Sequence, residues 1–247
     1  MIQPAHASGP VRIALWAILV AGLWTGGLRA QSSAGGSVDS LHRPDRDAPA
    51  DPVSPWLNTR HRISLWAGGS NNASRLLGRT PDAEFRMVAL RYKRRLTPQR
   101  MRGADPAPFV LFYTADVVPW ARLSVPGSAI PERGNRTGEG VPRPDLATTG
   151  VGAVPLGLQL NLRAHPRIQP FLSASTGVLY FVDSVPDQRG KPFNFTLDFG
   201  AGLQVTLGDR LHLAVGYRYH HLSNGYRGRI NPGVDANLFY LGTAVGL

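Results

Sequence analysis

"FNFTLDFGAGLQVTL" (193–207) separates into two chemistries when every second residue is taken. One set is Phe193, Phe195, Leu197, Phe199, Ala201, Leu203, Val205 and Leu207; the other is Asn194, Thr196, Asp198, Gly200, Gly202, Gln204 and Thr206. Side chains alternate across a β-strand, so the pattern describes one oily face and one polar or bare face. A strand of a soluble sandwich averages about five or six residues, far fewer than this. A strand crossing a membrane obliquely needs about 9–11, which the stretch supplies with room to spare.

Working outward, "VGAVPLGLQLNLR" (151–163) repeats the pattern, with Val154, Leu156, Leu158, Leu160 and Leu162 set against Pro155, Gly157, Gln159, Asn161 and Arg163. In all, eight stretches read as strands, near 61–70, 84–95, 108–120, 150–163, 168–183, 193–208, 211–224 and 235–247. Past residue 60 no continuous apolar run is long enough for a membrane-spanning helix. The expected fold class is therefore all-β: an eight-stranded antiparallel transmembrane β-barrel of a bacterial outer membrane. Closure pairs every edge strand, which an open sheet in hydrocarbon could not do. The connections at 164–167 and 209–210 are tight and the one at 126–145 is long, as alternating periplasmic and external loops require. The connection at 96–107 is longer than that scheme expects.

Ahead of the barrel, "IALWAILVAGLW" (13–24) is a short apolar core after Arg12, followed by "TGGLRA" (25–30). This reads as an export signal over 1–30, cleaved after Ala30. Residues 31–58, rich in Ser, Pro, Asp and Gly, have too few large hydrophobes to fold and are expected to be a disordered leader. The barrel is assigned to 59–247, with a distinctive final hairpin at 211–247. Cysteine is absent, so disulfides and thiolate metal sites are excluded, and any nucleophile is an oxygen or an amine.

That hairpin contains "YRYHHLSNGYRGRINPGVDANLFYLG" (217–242). His221 and Ser223 continue the outward row of Leu211, Leu213, Val215, Tyr217 and Tyr219, and Asp235 heads the outward row of Asn237, Phe239 and Leu241. Polar groups against hydrocarbon cost several kcal/mol each unless they pair. Residues i and i+2 lie roughly 6.6 Å apart along a strand, a gap that two converging side chains close. Ser223 as nucleophile, His221 as base and Asp235 as orienting acid satisfy the logic of a serine hydrolase, which depends on geometry and not on chain order. His220 lies beside His221, but alternation sends the two to opposite faces, so they cannot share an ion. No metal and no cofactor is expected.

The His-x-Ser-Asn at 221–224, Asn231-Pro232-Gly233, and the acid twelve residues after the serine resemble the active-site region of the outer-membrane lipid A 3-O-deacylases, the PagL-type family. The resemblance is specific over about 217–242 and architectural elsewhere. It implies an eight-stranded barrel that hydrolyses the ester-linked 3-O-acyl chain of lipid A at the level of the outer leaflet. It makes Ser223 the nucleophile, His221 the base and Asp235 the acid, with Asn224 and the backbone at Gly225 in the oxyanion hole. Relatives of this type carry Glu where this chain has Asp235, a reach shorter by about 1.5 Å.

The formal charge of +11 falls to +9 when Arg12 and Arg29 leave with the signal. Arg227 and Arg229, in the loop between the two catalytic strands, are the candidates for holding lipid A phosphates, because guanidinium forks match phosphate oxygens. The implied partners are lipid A or lipopolysaccharide as substrate and outer-membrane lipid as surroundings; an exported barrel meets no nucleic acid. Oligomeric state is left open, a homodimer being one option. Two other readings stand beside the esterase: a non-enzymatic structural or adhesin-like barrel, and a phospholipase using the same chemistry on another lipid.

Overall fold

The computed structural model describes residues 59–70, 76–97, 108–127, 143–163, 165, 167–207 and 211–247. The expected export signal and leader lie outside these residues. Eight strands run β1 (His61–Ser70), β2 (Glu84–Arg95), β3 (Phe109–Val125), β4 (Leu146–Leu162), β5 (Ile168–Val185), β6 (Lys191–Thr206), β7 (Leu211–Ser223) and β8 (Val234–Gly246). Each pairs antiparallel with its sequence neighbour, and β1 pairs with β8, closing the barrel. Arg62 opposite Gly246 marks the end that holds both the start of β1 and the end of β8. The β7–β8 connection is at the other end.

Residues 193–207 behave as their alternation requires. Phe195, Phe199 and Leu203 are outward and exposed, whereas Asn194, Thr196, Asp198 and Gln204 are buried inside the barrel. Polar residues fill the interior because they can pair there. Arg91 makes two bonds to Asp116, at 2.6 and 2.7 Å, and His220 meets Asp198 at 2.6 Å. The Arg218 guanidinium lies 4.5 Å from the Trp66 ring centre, a cation–π contact. Toward the β7–β8 loop the interior turns apolar, with Phe85, Leu123, Phe181, Leu222 and Leu238 in one cluster. Leu222 and Ala236 reach into it from β7 and β8, so packing on the inside anchors the strand ends whose outer face carries the candidate residues.

β3 and β4 depart from strict alternation. β3 and β4 extend beyond the expected 108–120 and 150–163, to Val125 and back to Leu146. Within them the alternation breaks at register shifts, between Thr114 and Asp116, Val118 and Ala121, and Ala153 and Leu156. An extra residue in a bulge moves the rest of the strand to the opposite parity. Val117 and Trp120 are consequently outward, while Val118 and Ala121 are buried. Val154, expected on the lipid row, is inside the barrel at 3% exposure, whereas Leu156 and Leu158 beyond the shift are outward. Pro155 sits within that shift, where its missing N–H removes no ladder bond.

Candidate active site

The ladder places His221 directly opposite Asp235. Their side chains meet, with the Nδ1–H of His221 donating to Oδ1 of Asp235 at 2.6 Å. This fixes the imidazole with Nε2 as the nitrogen left for chemistry. The ring packs against Gly233, where an added Cβ would stand 2.8 Å from Cε1 and where φ is +67°, a conformation that glycine adopts without strain. His220 points the other way, into the barrel and onto Phe85. Among the described residues there is no cluster of three or more His, Asp or Glu that could hold a metal ion.

Asp235 does not face lipid as its parity suggests. Its exposure is 0%, although Phe239 in the same row is 69% exposed. The β1–β2 connection folds over it: the amides of Leu76 and Leu77 donate to Oδ2 at 2.8 and 2.9 Å, and that of Gly78 donates to Oδ1 at 2.8 Å. With His221 this gives the carboxylate four hydrogen bonds, two at each oxygen. The expectation that the three polar side chains compensate one another on an open lipid face is corrected here. Most of the compensation for Asp235 comes from backbone donors far away in sequence.

A second correction concerns Ser223, which makes no hydrogen bond to His221. Its Oγ accepts from Nδ2 of Asn231 at 2.9 Å and from the Gly225 N–H at 3.2 Å. Asn231 is in turn aligned by the Asn224 N–H, which donates to its Oδ1 at 3.0 Å. The Asn224 side chain is buried, and its Nδ2 donates to the Ile230 carbonyl at 2.7 Å, tying the two ends of the loop together. Gly225 has φ +63°, which lets the chain turn its N–H back toward Ser223. Asn231 stands in a motif to which sequence reasoning gave no chemical role; its separation from Ser223, eight residues, offers no spacing argument.

Arg227 and Arg229 lie in the same loop, with Arg227 exposed. The Arg227 guanidinium lies 5.1 Å from the Phe193 ring centre, and the Arg229 N–H donates to the Arg189 carbonyl at 2.7 Å. With Arg189 of the β5–β6 turn and Lys191 at the start of β6 they line an open groove of about 530 Å³.

A small closed barrel with an apolar outer belt, bearing a His–Asp pair and a cradled serine at one rim, defines an outer-membrane protein with the parts of a hydrolase. Residues 111–244, more than half of the chain and all of β4 through β7, match the family described as "Lipid A 3-O-deacylase (PagL)". The chain belongs to that family. Membership makes it a lipid A deacylase of the bacterial outer membrane. No curated relative matches the chain. Among solved structures it is similar to the outer membrane enzyme PagL (15% identity, 74% of this chain and 99% of that one, TM-score 0.46). It is also similar to Neisserial surface protein A (14%, 76% and 98%, 0.43) and to Ail of Yersinia pestis (15%, 76% and 99%, 0.38).

Proposed function

We propose that this protein is a serine esterase that removes the ester-linked 3-O-acyl chain from lipid A in the outer leaflet. The observation that carries the reading is the 2.6 Å contact between His221 and the buried Asp235, beside Ser223 on the outer wall of the barrel. In this reading a turn about the Ser223 Cα–Cβ bond brings Oγ from Asn231 to His221 Nε2. Catalytic hydrogen bonds are commonly open without substrate. Nε2 takes the Oγ proton as Oγ attacks the ester carbonyl. The tetrahedral oxyanion collapses, the C–O bond to the sugar breaks, and His221 returns the proton to the departing hydroxyl. A water, deprotonated by His221, then attacks the acyl-serine carbonyl; the bond to Oγ breaks, His221 returns the proton to Oγ, and the fatty acid leaves.

The oxyanion forms beside Ser223, and the turn of Oγ toward His221 frees the Gly225 N–H and Asn231 Nδ2, which hold Oγ at rest, to donate to it. Asn224, with its own amide groups engaged by Asn231 and Ile230, contributes to the oxyanion hole by fixing Asn231 and the loop. Arg227 and Arg229, in the groove shared with Arg189 and Lys191, suit the phosphates of the lipid A disaccharide.

Mass spectrometry of lipid A from cells expressing wild-type protein or Ser223→Ala tests the reading. The expected result is loss of one acyl chain, mapped by fragmentation to position 3, with wild-type protein only. Loss of the same chain with Ser223→Ala, or loss of a chain mapped to another position, would overturn the reading.

A further inference from the structure

Asp235 is enclosed by a turn that lies outside the 111–244 segment matched to the family. The amides of Leu76, Leu77 and Gly78 are three consecutive donors converging on one carboxylate, an arrangement that binds anions through fixed backbone dipoles. The Leu77 N–H also reaches the Tyr219 hydroxyl, at 3.2 Å, next along the outward row of β7 from His221. The turn is itself secured to the catalytic hairpin. The Arg79 N–H donates to the Pro232 carbonyl at 2.7 Å, the Thr80 N–H to the Gly233 carbonyl at 3.2 Å, and Thr80 forms a parallel bridge with Val234. Barrel closure makes this possible, because β1 is the neighbour of β8.

Gly78 is the point of closest approach. A Cβ there would stand 2.8 Å from Oδ1, 3.0 Å from Cγ and 3.0 Å from the backbone nitrogen of Asp235. The last contact is with main chain, so no side-chain rotation relieves it.

We propose that the Leu76–Gly78 turn is a positioning element of the reaction: its three amides hold the buried Asp235 carboxylate at the distance that orients His221. Gly78 is the residue that permits the approach, and the turn also sets the length of the acid, since a longer side chain would run into it. The inference rests on the Ser223–His221–Asp235 reading. It adds a segment that touches no substrate and acts through the acid.

A double-mutant cycle on the full-length protein in detergent tests this, with heat-modifiable gel mobility confirming that each barrel is folded. Gly78→Ala is expected to lower kcat on the order of 10- to 100-fold with KM little changed, the scale of a misplacement of about 1 Å in a catalytic group. Placed in an Asp235→Ala background, Gly78→Ala should cost less than about twofold more, as expected for two residues that act through one group. A similar loss in both backgrounds would overturn the proposal, since the turn would then act through the Gly233 loop and not through the acid. Full activity of folded Gly78→Ala would overturn it as well. If Asp235→Ala itself keeps the wild-type rate, the triad reading fails and the positioning role with it; if Asp235→Ala is impaired and Gly78→Ala is not, only the positioning role fails. Amide hydrogen exchange supplies a measurement that does not depend on the Gly78 variant: protection at 76–78 should be present in wild type and lost in Asp235→Ala. Equal exchange in the two proteins would contradict the clamp.

Discussion

His221 and Asp235 face one another across the β7–β8 ladder with Nδ1 and Oδ1 2.6 Å apart, and this cross-strand pair determines which imidazole nitrogen is engaged and which is left over. A strand ladder is among the stiffest frames a protein offers. The pair is therefore set before any substrate arrives.

If the pair serves Ser223, then Ser223→Ala and His221→Ala should each reduce deacylation at least about 1000-fold, and the double variant should be little worse than either, because members of such a unit fail together. Neither side chain joins the strand ladder, so heat-modifiable mobility should be unchanged. Turnover of purified lipid A by each folded variant checks this.

Asp235→Ala should be milder than either, since the acid orients the base and is not consumed. Asp235→Glu is the more discriminating change. The resemblance to relatives with Glu at this position favours a neutral or beneficial effect; the turn packed at Gly78 implies instead a loss of roughly tenfold or more, as an added methylene forces about 1.5 Å of movement. Steady-state kinetics of the Glu variant decides between the two.

Asn231→Ala removes the side-chain donor on Ser223 Oγ and the acceptor that aligns the Asn224 amide. A fall of roughly 100- to 1000-fold in kcat is expected, the usual cost of losing one oxyanion donor. KM should move little. A change confined to KM would place Asn231 in substrate binding and not beside the oxyanion.

Replacing Arg227 and Arg229 together with Gln should raise KM for bisphosphorylated lipid A a few-fold while leaving kcat nearly unchanged. Exposed charges act weakly and are screened by salt, so the difference from wild type should shrink as ionic strength rises. A dephosphorylated substrate should be cleaved equally well by both proteins.

Activity should survive exhaustive chelation. Proton transfer and charge stabilisation are both supplied by His221, Asp235, Asn231 and the loop amides in the proposed reaction, so EDTA treatment and assay in metal-free detergent should leave the rate within about twofold of the untreated enzyme. Loss restored by added calcium would assign the chemistry to a different site.

Sequence by itself determined the barrel and the side of its wall on which the candidate residues sit. In 193–207 the alternation is unbroken, and because a strand's side-chain period is two, parity alone sends Phe199 to lipid and Asp198 to the interior. The same rule separated His220 from His221 and put His221, Ser223 and Asp235 in outward rows. It could not locate the bulges in β3 and β4, since one inserted residue leaves composition untouched while reversing parity, as Val154 shows. Nor could it find what covers Asp235. The donors are main-chain N–H groups of Leu76, Leu77 and Gly78, which every sequence possesses, and they reach the acid only because closing the barrel makes β1 the neighbour of β8. Tertiary structure likewise decided that Ser223 rests on Asn231. The two come together where the chain reverses at Gly225, a contact made by loop geometry that carries no periodicity to read.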